Sequence, residues 1–166
     1  RSGEKLKKLR LKNYPMSMMA ADGLLYVINY KDTVLSVVDI AQFQVVDEWT
    51  IPKDSHGLLV RQDAQELWVG GHGVGTTPNT SVLVLNLETG DLKEKLQLPM
   101  MSVDFAQSNS ADEVAVISHG NSSLYILDQV KDIKATLQIG ANPFAVAYVD
   151  KQFAVAGYDD DTLYFV

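Results

Sequence analysis

The chain has 166 residues, 46% of them apolar and 21% charged, and a formal net charge of −7 from 14 basic and 21 acidic side chains. That composition belongs to a globular chain with a sizeable core and excludes a disordered one, while the acidic balance argues against a nucleic-acid partner, which needs a concentrated basic surface. Cysteine is absent, which excludes disulfides, thiolate zinc sites and cysteine nucleophiles, and no apolar run reaches the roughly 20 residues of a membrane-spanning helix.

The chain opens on Arg1, so it is expected to be a processed or truncated product, with any signal peptide or lipid anchor upstream. Its one basic cluster, Lys5, Lys7, Lys8, Arg10 and Lys12, reads as the solvated face of an edge strand, Lys5–Leu11. Four segments with one grammar follow: Tyr14–Ile51, Ser55–Leu98, Met101–Ile139 and Asn142 to the end. Each begins with a short apolar stretch and a polar turn, such as Ala21-Asp22-Gly23 or Asp150-Lys151. A β-rich run comes next: Leu25–Ile28, Leu67–Val69, Val114–Ile117 or Phe153–Ala156. After a second turn comes a third strand: Val34–Val38, Val82–Leu85, Leu124–Leu127 or Leu163–Val166. Three segments end in a fourth strand, Val45–Ile51, Leu92–Leu98 or Ile133–Ile139. No segment sustains a helical apolar stripe.

A repeat of about 40 residues is the size of one four-stranded propeller blade. A lone blade cannot bury its own faces, whereas a blade between two neighbours buries both, which explains the nearly continuous apolar inner strands. The fold class expected is all-β: a β-propeller of four-stranded antiparallel blades, about four repeats, forming part of a larger ring. The division is 1–13 as the outer strand of a preceding or last blade, then blades at 14–54, 55–100 and 101–141, and three strands of a further blade at 142–166. Trp49, Trp68, Val27, Val69, Val116 and Val155 are expected between sheets.

GLLYVINYKDTVLSVVD and NPFAVAYVDKQFAVAGYDDDTLYFV resemble YVTN-type propeller repeats. The resemblance spans essentially the whole chain and implies a bacterial, extracytoplasmic protein at the cell surface or in the periplasm. In that family seven blades are usual, which would need roughly 280 residues. The shorter chain implies missing blades, a homodimeric ring or a small closed ring in which Lys5–Leu11 pairs with Leu163–Val166. Related propellers include lactone hydrolases and domains of redox enzymes, so the fold by itself does not select a function.

Aligning the repeats puts Tyr30, His72, His119 and Tyr158 in one column just after the second strand. His56 opens a blade on the link that shares their rim, and Met16, Met100, Met101 and Phe144 lie near the same links. These five column and link residues, His56, His72, His119, Tyr30 and Tyr158, are the candidate ligand-binding set. Histidine suits a transition metal, but tyrosine replaces it in two repeats, and the column is expected to spread the histidines around the ring. The reading is therefore of packing residues at blade corners, with no metal and no cofactor. Asp159-Asp160-Asp161, with Asp32 and Asn121 in related loops, offers oxygen ligands for calcium but reads as solvated turns. Gly70–Gly75 lacks the Gly-Lys-Ser/Thr of a phosphate loop and reads as an insertion on the binding rim.

No Gly-x-Ser-x-Gly elbow or acid/base pair marks an enzyme. The expected function is a non-enzymatic scaffold that binds a protein, glycan or small molecule on the rim, with any membrane tether outside this chain. The alternative is a metal-dependent hydrolase, lactonase-like, or a redox accessory that uses the rim histidines.

Overall fold

The structure is a computed structural model that describes Gly3 and residues 7–166. The first blade is β1 (Pro15–Ala21), β2 (Leu24–Asn29), β3 (Val34–Asp39) and β4 (Gln44–Thr50). The second is β5 (Ser55–Arg61), β6 (Glu66–Gly71), β9 (Ser81–Asn86) and β10 (Leu92–Gln97), with a small hairpin, β7 (Gly73–Val74) and β8 (Thr77–Pro78), between its middle strands. The third is β11 (Ser102–Gln107), β12 (Val114–Ser118), β13 (Ser123–Leu127) and β14 (Ile133–Gln138). The fourth holds β15 (Pro143–Val149), β16 (Gln152–Gly157) and β17 (Thr162–Phe165). Successive strands pair antiparallel within each blade, so the chain is a β-propeller segment. The one helical element among the described residues is a three-residue 3-10 turn, His119–Asn121.

Turn chemistry sets the hairpins. Asp22 and Gly23 have φ of 49° and 80°, and Asp150 and Lys151 have 47° and 66°. Two successive positive φ values are the turn whose twist matches that of the flanking strands. At Asp22-Gly23 the sequence suits the geometry; Lys151 adopts it without glycine's freedom.

The blades stack through alternate side chains. Leu67 and Val69 of β6 pack into the first blade against Tyr26, Ile28, Leu35 and Val37. Trp68, between them, joins Val82 and Val84 against Phe105, Val116 and Tyr125 of the third blade. Ile117 and Leu124 then meet Val146, Phe153 and Val155 of the fourth. A strand covered on both faces needs apolar residues at every position, hence the runs in the sequence. Trp49, Trp68, Val27, Val69, Val116 and Val155 are all buried; large apolar side chains contribute roughly 1.5–3 kcal/mol each when buried.

Away from the candidate rim, Arg61 and Glu66 are buried beside Trp68. Glu66 accepts from Trp68 Nε1 at 2.9 Å and faces Arg61 at 3.6 Å and Lys131 at 2.9 Å. Burial raises the Glu66 carboxyl, but the hydrogen bonds from Trp68 and Lys131 and the charges of Lys131 and Lys93 outweigh it and hold the group below its ordinary value.

The N-terminal segment departs from the strand expected of it, and one of the three closure alternatives is not seen among the described residues. Residues 7–11 of the N-terminal segment form no strand, and Lys5 and Leu6 lie outside the described residues. Among the described residues β17 pairs with β16 alone, so no pairing of Lys5–Leu11 with Leu163–Val166 is seen. A strand needs a partner backbone, and among the described residues none pairs with residues 7–11.

Candidate functional site

One rim is built from the connections between second and third strands and from the links between blades. A single hydrogen bond recurs there. The backbone N–H of Tyr30 donates to the carbonyl of Tyr14, His72 to Asp54, His119 to Met101, and Tyr158 to Asn142, at 2.9, 3.3, 3.0 and 3.1 Å. All four acceptors have positive φ, between 49° and 64°. The column aligned from the sequence is thus one repeated corner, in which a left-handed link residue aims its carbonyl at the end of the second strand.

At the second residue of each inner strand the register slips: between Pro15 and Ser17, Ser55 and Leu58, Ser102 and Asp104, and Pro143 and Ala145. A bulge re-aims the local side chain. At two of these positions stand His56 and Phe144, and both rings turn to the rim's centre.

Four rings meet there. His56 and His72 have centroids 5.7 Å apart, His72 and His119 5.4 Å, His119 and Phe144 5.9 Å, and Phe144 and His56 5.1 Å, with planes at 70° to 87°. This is edge-to-face packing, the arrangement favoured by ring quadrupoles. The expectation that equivalent positions spread the histidines around a ring is overturned. Equivalence fixes one position per blade, but His72 and His119 of neighbouring blades stand in contact, and His56, at a bulge, joins them.

Main-chain carbonyls orient two imidazoles. His56 Nδ1 lies 2.9 Å from the Val103 carbonyl and His119 Nδ1 3.3 Å from that of Pro143, each on the next blade. A carbonyl only accepts, so Nδ1 carries the proton and Nε2 keeps its lone pair in the neutral ring. His72 Nδ1 is buried with no partner. Burial, then the neighbouring His56 and His119, hold His72 below its ordinary pKa, against the opposing pull of Asp54.

Tyr158 touches the cluster through Phe144, at 6.1 Å, and is otherwise exposed. Tyr30 stands apart, with Lys31 Nζ 4.2 Å over its ring. Met100 and Met101 flank Gly120, beside His119, and Met16 is exposed on the first blade. Asp104 was not singled out from the sequence. It accepts the Val146 N–H at 2.8 Å, and burial raises its carboxyl, partly offset by hydrogen bonds from Val146 and Phe105 and by His56. Its one signal was a carboxylate inside an otherwise apolar strand, VDFA.

The Gly70–Gly75 loop runs into the β7–β8 hairpin. Its hairpin, β7 and β8, helps enclose a pocket of about 270 Å³ with Lys53, Asp54 and Lys95. The glycines at its start admit the third blade, since a Cβ at Gly70 would run into the Ser102 carbonyl and Phe105. The acidic loop is tied into its corner. Tyr164 donates to Asp160, as Asn121 donates to Tyr125 in the third blade at 2.6 Å, and Asn142 donates to Asp159. Among the described residues no three His, Asp or Glu side chains surround one metal-sized point.

Fold and rim together define the chain as a β-propeller segment with an imidazole-rich rim. No family model matches it, and no curated protein matches it by sequence. Among solved structures it is similar to a chain of Kuenenia stuttgartiensis hydrazine synthase, at TM-score 0.79 and 14% identity. The alignment covers 100% of this chain and 49% of that one, so this chain spans about half the length of its structural neighbour. In all, 994 solved chains match, a breadth that marks a widely used fold.

Proposed function

We propose that this chain is a non-enzymatic binding module that takes a protein, glycan or small molecule on the rim carrying His56, His72, His119, Phe144 and Tyr158. The observation that supports it is the convergence of four rings from three blades, two of them oriented by carbonyls of the next blade. Rings fixed in advance by their scaffold lose little freedom on binding, and rim connections are where propellers vary without disturbing the sheets. The YVTN-like repeats support a place outside the cytoplasm of a bacterium. The test is a glycan and fragment screen read by NMR. Shifts centred on the His119 and Phe144 signals, lost in Phe144→Ala, support the reading; binding unaffected by Phe144→Ala overturns it.

A second reading has the rim histidines hold a transition metal for hydrolysis or redox work; it would need the imidazoles to move, since among the described residues no three His, Asp or Glu side chains surround one metal-sized point. His72 would be the shared ligand, since it is the ring that contacts both others. Elemental analysis of untagged protein separates the two: stoichiometric metal, lost in His72→Ala, supports the second.

A further inference from the structure

We propose that the hairpin inserted in the second blade builds a site for a tetrahedral oxyanion, a phosphate or sulfate group, beside the ring cluster and separate from it. The connection between second and third strands is residues 30–33 in the first blade, 119–122 in the third and 158–161 in the fourth, but residues 72–80 in the second. The extra length is folded: β7 and β8 pair antiparallel, Gly73 with Pro78 and Val74 with Thr77.

The hairpin makes a fixed wall. At its base the Asn79 N–H donates to the His72 carbonyl at 2.9 Å, and the Met101 N–H, on the link to the third blade, donates to the Asn79 carbonyl at 2.6 Å. The Asn79 side chain donates to the Ser81 carbonyl at 2.8 Å. Gly73 has a φ of 95°, and a Cβ there would stand 2.4 Å from both the Asn79 nitrogen and the Thr77 carbonyl oxygen, so glycine is what lets the two short strands close.

Between this wall and the link Pro52–Ser55 lies the pocket of about 270 Å³. All of its walls come from residues 52–95, the link out of the first blade and the second blade itself. The volume is near the lower end of ligand pockets, roughly 300 Å³, and several times the ~30 Å³ that a water occupies. It has room for an oxyanion and a small part of whatever carries it.

The charges select the ligand. Lys53, on the link, and Lys95, on β10, are exposed and line the pocket. Lys31 pairs with Asp54 at 3.1 Å and Lys93 with Glu66 at 3.4 Å, but among the described residues Lys53 and Lys95 enter no ion pair. Asp54 is the one carboxylate on the wall among the described residues, and Lys31 occupies it. Asp32, whose carboxyl feels the charge of Lys53, accepts two hydrogen bonds from Asn13. In a chain of net charge −7, two uncommitted ammonium groups over one pocket reverse the local sign. Thr77 and Thr80 add hydroxyls to the lining, and a hydroxyl can donate to an oxyanion. An ammonium group is a compact point charge that suits phosphate, whereas a planar carboxylate is better matched by the arginine fork. Two of them balance the roughly −1.5 to −2 charge of a phosphate ester at pH 7.

His72 stands between Gly71 and Gly73 of the pocket wall, but its ring meets His56 and His119. The oxyanion site therefore goes beyond the rim reading and stands or falls without it. The test is an amide NMR titration of the full chain with inorganic phosphate, glucose 6-phosphate and acetate, each against chloride at equal ionic strength. Phosphate gives saturable shifts centred on residues 53–54 and 73–80, and acetate binds more weakly. Lys53→Gln and Lys95→Gln, both at exposed side chains, each weaken phosphate binding about fivefold or more with unchanged β circular dichroism, and Phe144→Ala leaves it unchanged. Tighter binding of glucose 6-phosphate than of phosphate assigns the group to an ester, and equal binding assigns it to the free ion; either upholds the site. Shifts that chloride reproduces, acetate binding as tight as phosphate, binding lost in Phe144→Ala, or an affinity indifferent to both lysine exchanges overturns it.

Discussion

The imidazole rings of His72 and His119 meet edge to face, 5.4 Å apart at 87°, although 46 residues of sequence and a blade boundary separate them. They occupy the same corner of adjacent blades. Among the described residues His72 Nδ1 is buried with no hydrogen-bond partner.

His72 makes stability depend on pH. Because its pKa in the fold lies below the ordinary 6.5, the unfolded chain takes up the proton first as the pH falls. Its contribution is complete above 6.5 and is lost as the pH drops from there toward the folded-state value. Asp104, raised in the fold, acts oppositely, adding stability at acid pH that fades as the pH rises. Urea midpoints measured between about pH 7.5 and 5.5 fall in the native chain, and His72→Phe flattens the fall.

Gly70→Ala drives a methyl group into the Ser102 carbonyl and the Phe105 ring, at the junction of second and third blades. The expected cost is about 1–3 kcal/mol, read from urea unfolding. At Gly75, by contrast, a Cβ meets nothing within 4 Å and only its φ of 60° is strained, so Gly75→Asn, a residue that tolerates this region, leaves the midpoint almost unchanged.

Glu66→Ala takes from Arg61, whose side chain is 3% exposed, its buried partner at 3.6 Å and leaves it the half-exposed Asp63 at 3.5 Å. Breaking one half of such a pair costs roughly 3–5 kcal/mol. Exchanging Glu48, which pairs at the surface with Lys12, for Ala costs less than about 1 kcal/mol. Equal effects at the two sites would refute the role given to the buried network.

Trp68→Ala removes a fully buried ring between the second and third blades and is expected to cost about 3–5 kcal/mol. The loss is read as a lowered thermal midpoint with β circular dichroism intact below it.

The blades were legible because two-sided burial writes itself as apolar runs, as in LLYVI and VAVIS, closed by turns such as Asp22-Gly23. The corner column was legible too, because a repeated backbone hydrogen bond preserves its spacing from the second strand. What the sequence concealed was distance. A repeat alignment assigns His72 and His119 to different blades and is silent on how near each other they stand. The bulge after Ser55 that turns His56 inward leaves no residue signature, since Pro15, Ser102 and Pro143 open the same bulge with different neighbours. The β7–β8 hairpin was hidden because Gly73–Pro78 has too few residues for a periodic pattern.

The central claim is that the rim histidines form one ordered cluster, and nitrogen-15 NMR of the imidazoles tests it most directly. With the rings neutral, the account predicts that His56 and His119 carry their proton on Nδ1, bonded to the carbonyls of Val103 and Pro143, with contacts from His72 to both rings. Proton occupancy mainly on Nε2, as in a free histidine side chain, without contacts among the three rings, would contradict it.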